Sequence, residues 1–152
     1  MQNIYWFNEI GKGSLAIAGG KGANLGEMFN HGFPVPEGFI LSAKSYFAFV
    51  QSTQIDQVIG AKTKGLNTED SNKLQQVSDE IKQAIMSVRM PDDIRADVIR
   101  GYNKLCGVSL MPTASQEVFV AVRSSATAED LPEASFAGQQ DTYLNMKGAD
   151  IV

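Results

Sequence analysis

Cysteine is nearly missing from this 152-residue chain. Cys106 stands alone, so no internal disulfide framework can form, and the composition fits a reducing compartment. Cys106 sits in the helix-like run Tyr102 to Cys106 and reads as a packing residue. Histidine is equally scarce: His31 is the only one, which gives a Cys/His pair for nucleophilic catalysis little support. No apolar run approaches the roughly 20 residues of a membrane-spanning helix. The first residues, Met1 to Phe7, have no basic stretch ahead of an apolar one, so they do not read as a signal peptide. Basic clusters are absent too. Thirteen Lys and Arg face seventeen Asp and Glu, a formal net charge of −4, which excludes an electrostatic surface for nucleic acid or anionic membrane. The expectation is a soluble cytoplasmic protein.

What is present is an ordinary globular balance, 43% apolar and 20% charged. At this length one domain, or a large piece of one, can bury a core. Two stretches stand out. The first is Gly19-Gly20-Lys21-Gly22-Ala23-Asn24-Leu25-Gly26-Glu27-Met28, in which glycines surround a lysine just ahead of a helical pattern. Leu25, Met28 and Phe29 fall at i, i+3 and i+4 and predict the apolar face of that helix. Gly32 ends it and Pro34 forbids its return. A glycine loop feeding a helix N-terminus offers N–H groups and the positive end of the dipole to an anion, and Lys21 adds a full charge. It is not a Walker A loop, because Leu15 and Gly22 stand where that pattern needs Gly and Ser or Thr. The plain alternative is a flexible turn with a solvated lysine. His31, at the expected helix end, reads as a cap for the last carbonyls.

The second stretch follows the strand-like run Val118 to Val122. It is Arg123-Ser124-Ser125-Ala126-Thr127-Ala128-Glu129-Asp130, continuing to Thr142. A guanidinium at a strand end, followed by small residues, suits phosphate oxygens. The plain alternative is an ordinary polar loop with Arg123 paired to an acid. Glu129, Asp130 and Asp141 are open to two roles, magnesium ligands or partners of Arg123 and loop caps. Two cationic features about a hundred residues apart, with no basic surface elsewhere, favour a polyphosphate ligand over nucleic acid.

The remainder reads as scaffold. Ile4–Phe7 reads as a first strand or as a plug packed on the core, Phe39–Leu41 reads as a short strand, and Leu15–Ala18 is too short to classify. Ser42 caps a helix over about 43–50 whose aromatics Tyr46, Phe47 and Phe49 read as core. Residues 55–59 form a short helix, and 61–67 a linker. The longest helical signal is 68–90, with Leu74, Val77, Ile81, Ile85 and Val88 on one face. Pro91 closes it, and a helix with Ile94, Val98, Tyr102 and Leu105 inward runs to Gly107. The two long helices predict a hairpin against a sheet. The chain's end carries no stop signal and reads as a cut inside a longer protein.

The motif at 19–28, then Val35-Pro36-Glu37-Gly38-Phe39, then 122–142, resembles the N-terminal part of the phosphoenolpyruvate synthase (pyruvate, water dikinase) family. Order and spacing both fit. The block from Val122 to Asn145 is shared with rifampicin phosphotransferases and, more loosely, with pyruvate, phosphate dikinases. The resemblance implies an α+β fold: residues 1–152 as the first portion of an ATP-grasp-like nucleotide-binding domain, with a small mixed sheet and a helical hairpin. It implies that ATP gives its β-phosphoryl group to a histidine on a separate swivelling domain, which delivers it to pyruvate in a distant barrel. The products are phosphoenolpyruvate, AMP and phosphate. The family's nucleotide residues fall on Lys21, Arg123, Gly138 and Thr142. Magnesium is implied as cofactor, with its carboxylates beyond residue 152, and the full-length protein as a homodimer. Carrier histidine, swivelling domain and pyruvate barrel are missing here, so residues 1–152 alone should not complete the reaction. Two rival readings remain: the same ATP domain on an antibiotic phosphotransferase, and a free-standing, non-catalytic nucleotide-binding module.

Overall fold

A computed structural model describes residues 2–127 and 142–149. They form a mixed α/β arrangement of five helices and two small two-stranded sheets. The chain divides into two units, 1–45 with 92–152, and 46–91.

In the first unit, β1 (Ile4–Trp6) pairs antiparallel with β2 (Phe39–Leu41), Tyr5 opposite Ile40. Two 3₁₀ turns, Phe7–Glu9 and Lys12–Ser14, lead into α1 (Leu15–Asn30). Of the expected apolar face of α1, Leu25 and Phe29 are half-buried, Phe29 meeting the Phe7 ring at 6.3 Å, while Met28 turns outward. Met28 is 42% exposed, and the buried residues are Ala18, Gly19, Gly20, Gly22, Ala23 and Gly26. A count of large apolar side chains passes over glycine, yet glycine is what lets two backbones touch. A Cβ on Gly26 would stand 2.6 Å from the Ile10 carbonyl oxygen. Asn30 Nδ2 donates to the same carbonyl at 2.8 Å, locking the helix onto the turns before it. The helix stops as expected. Gly32 has φ +74°, its N–H donates to Phe29 O, and Phe33 N–H donates to Met28 O, both at 3.1 Å. This is a Schellman closure. His31 caps it through Nδ1, 2.9 Å from Glu27 O.

Helix α5 (Asp92–Leu105) lies against β1, with Ile94 and Tyr102 buried. It ends in a second Schellman closure at Gly107, φ +72°. A buried polar knot joins α5 to the sheet: Asn3 Nδ2 donates to Asp97 at 2.8 Å, and Ser45 Oγ donates to Asn3 Oδ1 at 2.9 Å. Asp97 also pairs with Arg100. Ser42 caps α2 (Ala43–Thr53), its Oγ accepting from Ser45 N–H at 3.3 Å.

The second sheet pairs β3 (Val120–Arg123) antiparallel with β4 (Thr142–Met146). Val120 faces Met146 and Val122 faces Tyr143, so β4 holds one extra residue in a bulge, and Asn145 takes φ +56°. Tyr102, fully buried, ties both strands of this sheet to α5 at one end of the pair. Its hydroxyl donates to Val118 O at 2.9 Å and accepts from Gly148 N–H at 2.8 Å. Burial pushes its pKa up, partly offset by the Gly148 N–H, which favours the phenolate.

Tyr102→Phe should therefore cost about 1–3 kcal/mol, because it strands a half-buried carbonyl and a half-buried N–H. The sign with pH follows from the raised phenol. The stabilisation is complete below about pH 10, the unfolded value, and is lost as pH rises through the folded one. Thermal melts from pH 8 to 11 should show the wild-type melting temperature falling more steeply above pH 10 than that of the Phe variant. Parallel curves would refute the assignment.

In the second unit, α3 (Ile55–Thr63) packs on α4 (Ser71–Ser87), with Ile55 and Val77 buried. Asp70 caps α4, accepting from Lys73 N–H at 3.0 Å. Lys62 Nζ donates to Glu80 at 2.8 Å and holds that carboxyl below its usual range. The pair is exposed and adds little to stability.

Two expectations need correction. The sheets are two separate antiparallel pairs, not one mixed sheet, among the described residues. Periodicity marks a helix's apolar face but not which element covers it. Tyr46 and Phe47, expected in the core, are 59% and 61% exposed and meet edge to face at 5.5 Å.

Candidate functional site

The glycine motif is a break inside α1. Gly19 has φ +67° and ψ 175°, a conformation essentially restricted to glycine, and the helix restarts at Gly20. The expected turn-then-helix arrangement is thus present, with a further helical turn, Leu15–Ala18, ahead of it.

The loop leaving β3 fills the break. Gly20 N–H donates to Ala126 O at 3.0 Å, and Gly22 N–H donates to Ser125 Oγ at 3.0 Å. Ser125 Oγ in turn donates to Ala18 O at 2.7 Å. The fit is tight: a Cβ on Gly19 would lie 2.5 Å from Ser125 Oγ and 2.7 Å from the Ser125 carbonyl carbon. The two stretches singled out from sequence, about a hundred residues apart, are clasped together.

This contact changes the expected anion chemistry. Two of the N–H groups at the restarted helix are spent on the protein's own loop, so anion affinity there rests more on side chains than on bare backbone donors. Lys21, partly buried, stands between the two anchored glycines. Arg123, exposed, lies two residues before Ser125 at the end of β3.

Thr142 is the direct cross-strand partner of Arg123. Residues opposite each other in an antiparallel pair share a face, with Cβ atoms about 4.5–5.5 Å apart. The hydroxyl and the guanidinium are therefore neighbours on an exposed face that continues through Ala121 and Phe119, the latter 68% exposed. Of the four candidate residues, three fall into this arrangement: Lys21 and Arg123 on either side of the clasp, and Thr142 beside Arg123. Gly138 lies outside the described residues, as do Glu129, Asp130 and Asp141. Sequence reasoning did not single out Ser125. The signal available was a small hydroxyl residue close behind the arginine and a glycine pair with room for it.

No group of three or more His, Cys, Asp or Glu side chains gathers as a metal site among the described residues. His31 caps a helix, as expected, and Cys106 is partly buried near the end of α5. No helix among the described residues is long and apolar enough to cross a membrane.

Comparison with known proteins places this geometry. Residues 15–152 match the family model described as pyruvate phosphate dikinase, AMP/ATP-binding domain. A protein named "Probable phosphoenolpyruvate synthase" from Methanothermobacter thermautotrophicus is 49% identical over 149 residues, 98% of this chain and 21% of that protein. One of the same name from Methanocaldococcus jannaschii is 49% identical over the whole chain, which is 12% of its own length. A "Phosphoenolpyruvate synthase" from Pyrococcus furiosus is 40% identical, covering 98% of this chain and 22% of that protein. The chain thus spans about a fifth or less of these relatives. The match takes in the α1 break, the clasp and the Arg123–Thr142 pair alike: the chain belongs to the pyruvate phosphate dikinase AMP/ATP-binding domain family.

Proposed function

We propose that residues 1–152 are the first portion of the ATP-grasp-like, ATP-binding domain of a longer phosphoenolpyruvate synthase. That enzyme converts ATP, pyruvate and water to AMP, phosphoenolpyruvate and phosphate through a phosphohistidine. The observation that carries this reading is the clasp, which joins the lysine-bearing and arginine-bearing motifs in a chain of net negative charge with no basic cluster in its sequence. The synthase names of the relatives favour it over an antibiotic phosphotransferase.

The chemistry suits these residues. Arg123 can grip phosphate oxygens with two parallel N–H groups, and Lys21 acts as a point charge. Phosphoryl transfer depends mostly on positioning and charge neutralisation, so both cations stabilise the charge that develops on the transferred group. Thr142 offers a hydroxyl beside Arg123, and Gly138 would allow close backbone approach. Magnesium, as the family resemblance implies, would be held by carboxylates beyond residue 152 together with the phosphates of ATP. The carrier histidine and the pyruvate site belong to other parts of the longer protein, because His31 is the only histidine here and is engaged at a helix end.

Titration of this chain with Mg-ATP, followed through backbone amide shifts, tests the site. Shifts should concentrate in 19–23, 123–127 and 142. Shifts confined to 46–91 would overturn the assignment. If none occur at millimolar ATP, the nucleotide needs the rest of the domain, and the decision passes to variants of the longer enzyme.

A further inference from the structure

In a regular helix the Gly22 N–H would donate to the carbonyl of Ala18, four residues back. Here one side-chain hydroxyl bridges those two groups, accepting from Gly22 N–H at 3.0 Å and donating to Ala18 O at 2.7 Å. A side chain inserted into the helical ladder is a recognised cause of a sharp bend, and the bend is at Gly19, between the two bridged residues. The hydroxyl belongs to Ser125, two residues beyond Arg123, while Lys21 stands next to one of the groups it holds. A second bond, Gly20 N–H to Ala126 O at 3.0 Å, prevents rotation about the first.

We propose that Ser125 is a positioning residue for phosphoryl transfer: its hydroxyl bridges the broken ladder of α1 and thereby sets Lys21 and Arg123 at a fixed spacing around the polyphosphate. The inference rests on the reading that these two cations hold ATP. Serine suits the post because one small group must donate and accept at once. Alanine does neither. Threonine does both and adds a methyl group. Cysteine keeps the size class with a weak donor and a weak acceptor. Because a displacement of about 1 Å at a phosphoryl-transfer site can cost on the order of 100-fold, loss of one remote hydroxyl is enough to be measured.

The test uses the full-length enzyme with Ser125→Ala, Ser125→Thr and Ser125→Cys, beside Lys21→Ala and Arg123→Ala. ATP-dependent phosphoenzyme formation and the KM values for ATP and pyruvate are measured for each. Ser125→Ala should slow phosphoenzyme formation about 10- to 100-fold and raise the KM for ATP, with the KM for pyruvate unchanged. Ser125→Thr should recover most of the rate. The Cys variant should fall between, and it decides by the same criteria if the Ala variant does not fold. Wild-type ATP kinetics in the Ser125 variants, with both cation variants inactive, would overturn the inference and leave the nucleotide site standing. Equal losses on the ATP and pyruvate sides, unrescued by threonine, would also overturn it, since they mark a purely structural role. Wild-type rates in the two cation variants would remove the nucleotide reading itself.

Discussion

Arg123→Ala in the full-length enzyme is expected to lower ATP-dependent histidine phosphorylation by about 10²–10³-fold, the usual cost of removing one preorganised donor from developing charge. Lys21→Ala should fall in the same range. Folding should survive the Arg123 change, because that side chain is exposed at a strand end and such substitutions usually move stability by about 0.5 kcal/mol or less. Arg123→Lys separates charge from shape. If the guanidinium holds two oxygens at once, lysine restores only part of the rate, since a single ammonium cannot form the fork. Rapid-quench measurement of phosphoenzyme formation gives the rates, and normal phosphorylation in either alanine variant would take that residue out of the site. Thr142, facing Arg123 across the ladder, should show a smaller effect, because a neutral hydroxyl stabilises developing charge less than a cation does.

Gly19→Ala carries the largest expected effect on stability. The left-handed, extended conformation at Gly19 costs a non-glycine residue about 1–3 kcal/mol. The added Cβ would also press on Ser125 Oγ at 2.5 Å and on the Ser125 backbone at 2.7 Å, and overpacking of that kind costs a further 1–3 kcal/mol or so. Backbone cannot retreat as the end of a flexible side chain can, so the clasp must open. Gly32→Ala is the matched control. Its φ is similarly positive at +74°, but nothing lies within 4 Å of the new methyl, so only the conformational cost of about 1–2 kcal/mol remains. Denaturant melts of the two variants should therefore differ by the steric contribution. Equal losses would mean that the β3 exit loop does not press on the break. In the full-length enzyme Gly19→Ala should also slow ATP-dependent phosphorylation more than Gly32→Ala does.

Much of the chain's local structure was legible in its residues. Gly32 and Gly107 end helices because each follows an apolar-periodic run and takes a positive φ that other residues resist. Ser42 starts a helix because its hydroxyl accepts an orphan N–H. Lys21 and Arg123 stood out because cations beside small residues are rare in a chain of net negative charge. One inference failed for a clear reason. Met28 was assigned to the buried face of α1 because it is large and apolar, while the face that packs is made of glycine and alanine, where backbone contact outweighs side-chain area.

By itself, then, the sequence determined the strands β1, β2 and β3, the helix ends, the lack of a disulfide or basic cluster, and the two motifs that mark the family, because each depends on residues within a few positions of one another. Only the tertiary structure decided that the motifs meet. Ser125 reaches Ala18 and Gly22 across more than a hundred residues, and Thr142 faces Arg123 through strand register. Such contacts depend on the backbone path and on the room left by a missing Cβ at Gly19, neither of which any local pattern of residue types encodes.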